Sequence, residues 1–110
     1  MTRFYQHEDL ASGRWQTFTL AEQLGNIGSE VSRARHARED NPRFENAVRR
    51  ALELFDLTLC DPRWKKRLKE IARARELFCD AVYGGLKYGT SFEDLDRYFT
   101  YFALSARLHR

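Results

Sequence analysis

The chain is poor in the features that mark membrane, metal-binding and secreted proteins. No apolar run in its 110 residues approaches the roughly 18 that a membrane span needs. Its opening, MTRFYQHEDLASGR, carries charges where a signal peptide requires an apolar stretch, so a cytoplasmic location is expected. There are two cysteines, Cys60 and Cys79, with nothing resembling a zinc or redox spacing between them. Both fall inside predicted helices, and each is expected to be a small buried core residue. With three scattered histidines, neither a metal site nor a cofactor is expected. No segment alternates with period two, so no strand is expected. Internal repeats and low-complexity segments are missing too.

Signatures of catalysis are equally scarce, and no catalytic residue is expected. A di-iron bundle needs Glu-x-x-His pairs, and no Glu stands three residues before a His. Glu53-x-x-Asp56 offers one acidic pair of the kind that binds magnesium in helical pyrophosphohydrolases, but no Glu-x-x-Glu precedes it. There is no glycine-rich phosphate loop, no motif that would supply a catalytic base to either cysteine, and no Arg-x₄₋₆-His motif of the helical ribonuclease-toxin kind.

What is present is a single helical domain. The length allows one real core but not two, and 43% hydrophobic with 14% aromatic residues excludes a disordered chain. The capping box Thr19-x-x-Glu22 starts a helix running to about Asp40, in which Leu20, Leu24, Ile27, Val31 and Ala34 share one face. Asn41-Pro42 opens a second helix with Phe44, Ala47, Val48, Ala51, Leu52, Phe55 and Leu59 on its apolar side. Asp61-Pro62 repeats the device for a third, whose seam is Trp64, Leu68, Ile71, Phe78 and Val82 and whose end is Gly84-Gly85. A second capping box, Thr90-x-x-Glu93, opens a fourth helix with Phe92, Leu95, Phe99, Phe102 and Ala106 inward. Short connections between such helices predict an all-α, up-down-up-down four-helix bundle over residues 19–110. Residues 1–18, with Phe4, Tyr5, Leu10, Trp15 and Phe18, are expected to form a partly ordered N-terminal arm packed on the bundle or on a neighbouring subunit.

Charge is unevenly spread. Residues 62–75 hold seven cations against the single anion Glu70, while the rest of the chain carries more acid than base. Arg63, Lys65, Lys66, Arg67 and Lys69 fall in the opening turns of the predicted third helix, where the helix dipole disfavours cations. An external anion, either nucleic-acid phosphate or an acidic protein, would relieve that conflict. In the predicted topology the end of the fourth helix, with Arg107, His109 and Arg110, lies at the same end of the bundle. Arg33, Arg35 and Arg38 sit at a helix C-terminus, where cations are stabilising and read as structural.

Three further patterns stand out. Gly25, Gly28, Ser29 and Ser32 share a flank of the first helix, and mid-helix glycines cost roughly 1 kcal/mol each relative to Ala, which favours close helix packing over a ligand reaching the backbone. On its other flank Gln23, Asn26, Glu30 and Arg33 form a polar stripe, expected to be solvated with Glu30 and Arg33 paired. Arg75 falls by helical phase inside the third helix's apolar seam, so it needs a carboxylate, with Asp96 and Glu30 as candidates for a buried ion pair that fixes helix register. Lastly, Tyr101, Leu104 and Leu108, with Tyr98 at the side, lie opposite the inward face of the fourth helix and predict a homo-oligomer interface, the alternative being that the N-terminal arm covers the patch.

The stretches LAEQLGNIGSEVSRA, RALELFDLTLCDPRWKKRLKEIARARE and YFTYFALSAR, which span most of the chain, resemble a family of small prokaryotic all-helical proteins without an established activity. The resemblance implies the fold. More distantly, the architecture is similar to the four-helix-bundle accessory proteins of diversity-generating retroelements and their ribosomal-intervening-sequence relatives, which are basic, oligomeric and bind nucleic acid together with a reverse transcriptase. That similarity implies structured RNA and a reverse transcriptase as partners. The expectation is therefore a non-enzymatic, oligomeric accessory protein that contacts phosphate through Arg63, Lys65, Lys66, Arg67, Lys69, Arg107 and Arg110. The alternatives are an adaptor docking an acidic protein, and an all-α enzyme with a polar site around Glu30, Arg75 and Asp96.

Overall fold

The computed structural model describes residues 13–108, the side chains of residues 105–107 excepted. Three of the four described α-helices begin where a side chain satisfies a free backbone N–H of the first turn. Thr19 Oγ1 accepts from the Glu22 amide at 3.1 Å and the Glu22 carboxylate accepts from the Thr19 amide at 2.9 Å. This reciprocal box opens α1, Leu20–His36. A turn after His36, earlier than expected, leaves Asp40 in extended conformation. Asp40, not Asn41, therefore caps α2, Asn41–Leu59, by accepting from the Arg43 amide at 3.3 Å.

Asp61 caps the next segment as expected, but Pro62–Arg67 is a 3-10 helix, and the α-helical stretch α3 spans only Leu68–Val82. It closes on Gly84 and Gly85, with φ of 91° and 75°, as the Gly85 amide donates to Asp80 O at 2.8 Å. The last helix, α4, spans Phe92–Leu108. Ser91 begins it, its hydroxyl accepting from the Asp94 amide at 3.1 Å, whereas Thr90 is turned back toward Asp80. The expected cap at Thr90 thus falls to Ser91, one residue later.

Cross-helix pairs fix the topology. Arg50 of α2 reaches Glu30 of α1 at 3.2 Å, and Phe55 of α2 meets Phe78 of α3 with ring centroids 5.9 Å apart. Along α1 and α4 the order is reversed: Gly25 faces Ala103, while Arg35 reaches Asp96 and Arg38 reaches Glu93, each at 2.7 Å. The protein is an all-α, up-down-up-down four-helix bundle with no strand among the described residues. No described helix is long and apolar enough to cross a membrane.

The predicted face of α1 (Leu20, Leu24, Ile27, Val31 and Ala34) is buried throughout, and Phe55, Phe78, Phe92 and Phe99 interlock at its centre. Each such side chain contributes about 1.5–3 kcal/mol on burial. The two mid-helix glycines are explained by contact: a Cβ on Gly25 would lie 3.1 Å from Ala103 Cα, and one on Gly28 would lie 2.5 Å from Phe99 Cβ. Only glycine lets α1 and α4 approach this closely.

The opposite seam, between α3 and α4, is looser and leaves a cleft of ≈390 Å³. Leu68, expected in the seam, is 39% exposed because α3 starts at this residue, beyond the kinked 3-10 turn. Cys60, expected in the core, is exposed because it caps the end of α2, where the chain leaves the apolar face; Cys79 is half-buried. In the described part of the N-terminal arm, Trp15 is fully buried and Phe18 partly so, while Phe4, Tyr5 and Leu10 lie outside the described residues.

Candidate nucleic-acid interface

The basic segment is held by a buried polar knot. Gln23, fully buried on α1, donates to Trp15 O at 2.9 Å and to Asp61 Oδ2 at 3.1 Å, and accepts from Trp64 Nε1–H at 2.8 Å. Trp15 Nε1–H donates to the buried Thr58 hydroxyl at 3.0 Å, and that hydroxyl donates to Leu54 O at 2.9 Å. Asp61 accepts from the Arg63 amide at 3.1 Å and from its guanidinium at 2.7–3.2 Å. The Arg63 guanidinium holds the Asp61 carboxyl below the usual carboxylate range against the opposing effect of burial, with help from the Arg63 amide and Gln23. The same guanidinium donates to Phe18 O at 2.6 Å and stacks 4.4 Å over the Trp64 ring.

These tethers correct the expected placement of charge. Trp64, at φ −102° and ψ 23°, breaks the helix, so Arg63, Lys65, Lys66 and Arg67 precede α3 instead of crowding its first turn. Lys69 alone of the five stands there, beside Glu70. The helix-dipole conflict is thereby largely relieved within the chain. Arg63 is committed to Asp61 and Phe18, and Arg67 pairs with Glu70 at 3.0 Å. Lys65, Lys66 and Lys69 are exposed and form no ion pair among the described residues. Because Asp61 and Arg63 bond to the start of α1, and Gly25 of α1 faces Ala103, the lysines share a bundle end with the close of α4. Arg110 and the Arg107 side chain, assigned to that end from sequence, lie outside the described residues.

The expected buried ion pair is not formed. Arg75 is 35% exposed and pairs with Asp56 of α2 at 3.2 Å, not with Glu30 or Asp96. Glu30, 4% exposed, accepts from Arg50 at 3.2 Å and pairs with Arg33; Asp96 accepts from Arg35 at 2.7 Å. α3 faces α2 at this level, which puts Asp56 nearest to Arg75 and keeps the supposed polar site of Glu30, Arg75 and Asp96 from assembling. The polar stripe is split as well: Gln23 and Glu30 are buried, while Asn26 and Arg33 face solvent. Among the described residues no group of three His, Cys, Asp or Glu side chains could hold a metal.

Sequence reasoning missed two arrangements. One is the Gln23 knot, for which the signal was two tryptophans whose indole N–H groups need acceptors. The other is Asp80, 8% exposed at the end of α3, whose carboxylate accepts from the amides of Lys87, Tyr88 and Thr90 at 2.9–3.2 Å and so shapes the loop to α4. Burial pushes its pKa up, but the amides of Lys87, Thr90 and Tyr88 together hold it below the usual range. The expected interface residues Tyr98, Tyr101, Leu104 and Leu108 are all exposed. Comparison of the chain with protein-family models, with curated proteins and with solved structures finds no match.

Proposed function

We propose that the bundle is a non-enzymatic, oligomeric accessory protein that binds nucleic acid, structured RNA in particular, by contacting phosphate with Lys65, Lys66 and Lys69. The observation that carries this reading is the presentation of these three exposed ammonium groups, without internal ion pairs among the described residues, on a segment anchored by Asp61 and Arg63. Phosphate binding by lysine needs such uncommitted charge, since each contact gains mainly by releasing counterions. Arg63 acts as an anchor of the segment, and Arg67 contributes only by exchanging Glu70 for phosphate. A reverse transcriptase is the larger machine suggested by the architectural similarity, and the cytoplasm is the expected setting.

A second reading, an adaptor for an acidic protein, is favoured by an apolar residue among the lysines. Leu68, between Lys66 and Lys69, is 39% exposed, and a protein partner would bury it. Replacing Lys65→Glu and Lys66→Glu together separates the two. Under the first reading RNA binding is lost while the melting temperature is kept. An adaptor ignores RNA from the outset and loses an acidic protein partner in the same variant. Equal RNA binding by wild type and variant refutes the proposal.

A further inference from the structure

Phosphate binding leaves two features of α4 unused. Its outer face exposes Tyr101, Leu104 and Leu108 by 68%, 51% and 80%, with Tyr98 beside them at 42%. The cleft between α3 and α4 is lined by Ala74, Leu77, Leu95 and the same Tyr98, with the charged Glu70, Arg73 and Asp94 beside them. The stripe and the cleft meet at the Tyr98 ring, and the Asp94–Arg97 pair borders them.

We infer that this surface docks a second copy of the chain, with α4 lying antiparallel on the partner subunit's α4 about a two-fold axis between Tyr101 and Leu104. The helix dipoles select the antiparallel arrangement. Antiparallel pairing opposes the dipoles of the two α4 helices, whereas parallel pairing aligns them. The acids at the start of α4 are already paired within the chain, Glu93 with Arg38, Asp96 with Arg35 and Asp94 with Arg97, which leaves the apolar residues to make the contact.

Spacing selects the axis. At about 1.5 Å per residue, Tyr98 lies about 7 Å from it on one side and Leu108 about 8 Å on the other. A two-fold rotation therefore brings Leu104 onto the partner's Tyr101, and Leu108 onto the partner's Tyr98 at the mouth of the cleft. The contact is self-complementary, as a two-fold interface requires. A stripe on the order of 400 Å² is as large as the biggest apolar patch on a typical monomer. Joined to the cleft wall on both subunits, it reaches about 1,000 Å², the lower bound for a stable interface. The inference deepens the oligomeric part of the proposed function and rests on it, but it does not involve the lysines.

Light scattering without nucleic acid tests it. Wild type is expected at twice the 13.0 kDa chain mass, and the Lys65→Glu, Lys66→Glu variant likewise, so that loss of RNA binding and loss of pairing remain separable. Leu104→Glu with Leu108→Glu is expected to run as a monomer with an unchanged helical spectrum. Orientation is read by disulfide trapping in a Cys60→Ser background, with Tyr98→Cys and Leu108→Cys on separate chains. Cross-linking only when the two are mixed supports the antiparallel pair. Cross-linking of either variant with itself, or none at all, overturns it. A monomeric wild type at tens of micromolar overturns it as well.

Discussion

Gly28→Ala probes the closest contact in the bundle. The added Cβ would lie 2.5 Å from Phe99 Cβ, where real carbon contacts lie near 3.5–4.0 Å. The neighbour is the root of a side chain, so rotamer change cannot relieve the overlap, and no smaller non-glycine residue at position 99 would help. The α1 and α4 backbones must instead separate by on the order of 1 Å, and overpacking of this kind costs about 1–3 kcal/mol. Replacing a mid-helix glycine returns up to about 1 kcal/mol of helix propensity. The expected net is a loss of up to about 2 kcal/mol, or a melting temperature lower by as much as roughly 10 °C. Gly25→Ala is the control, because its Cβ would meet Ala103 Cα at 3.1 Å and needs only a few tenths of an ångström. Its propensity gain and its crowding are expected to offset within about 1 kcal/mol. Thermal denaturation followed by circular dichroism compares the two. If Gly28→Ala melts at or above both wild type and Gly25→Ala, the packing of α1 on α4 described above is wrong.

Arg75→Met is expected to change stability by no more than about 1 kcal/mol, because an ion pair about one-third exposed on both sides is worth little; a loss near the roughly 3–5 kcal/mol of a broken buried pair, in urea denaturation, would contradict the Asp56 pairing. Asp80→Asn is expected to lower the melting temperature at neutral pH and to flatten its acid dependence. Because the folded Asp80 pKa is depressed, its stabilisation is fully present above the unfolded value near 3.9 and is lost as pH falls through the folded value. Melts from neutral pH down to about pH 3 that run parallel in wild type and variant would remove Asp80 from that role.

Helix order and core were legible in the sequence because they follow from local rules. The seam of α1 and the Thr19 box both depend on residues three or four apart, and both appear as read. Gly25 and Gly28 were legible as a contact because their cost in a helix demands a compensating approach. What was not legible depends on tertiary partners. The helix start at Asp61-Pro62 predicts an α-helix locally, yet the bonds of Arg63 to Phe18 and of Trp64 to Gln23, across more than forty residues, hold the segment in 3-10 form. The same gap misassigned the partner of Arg75: its phase pointed to the seam, and Ile71 and Phe78 on either side are buried, but the guanidinium reaches out at the α2 boundary to Asp56. Tolerance of charge at position 75 comes from partial exposure and a neighbour that no local pattern reveals.

The proposed function rests on phosphate contact by Lys65, Lys66 and Lys69. Its most direct test is the affinity for a structured RNA measured across a series of salt concentrations. Three contacts per subunit predict that log affinity falls linearly with log salt, with a slope of about −2 to −3, and that removing one lysine lowers the magnitude by nearly one. An affinity independent of salt, or a slope unchanged in Lys65→Ala and Lys66→Ala, would contradict it.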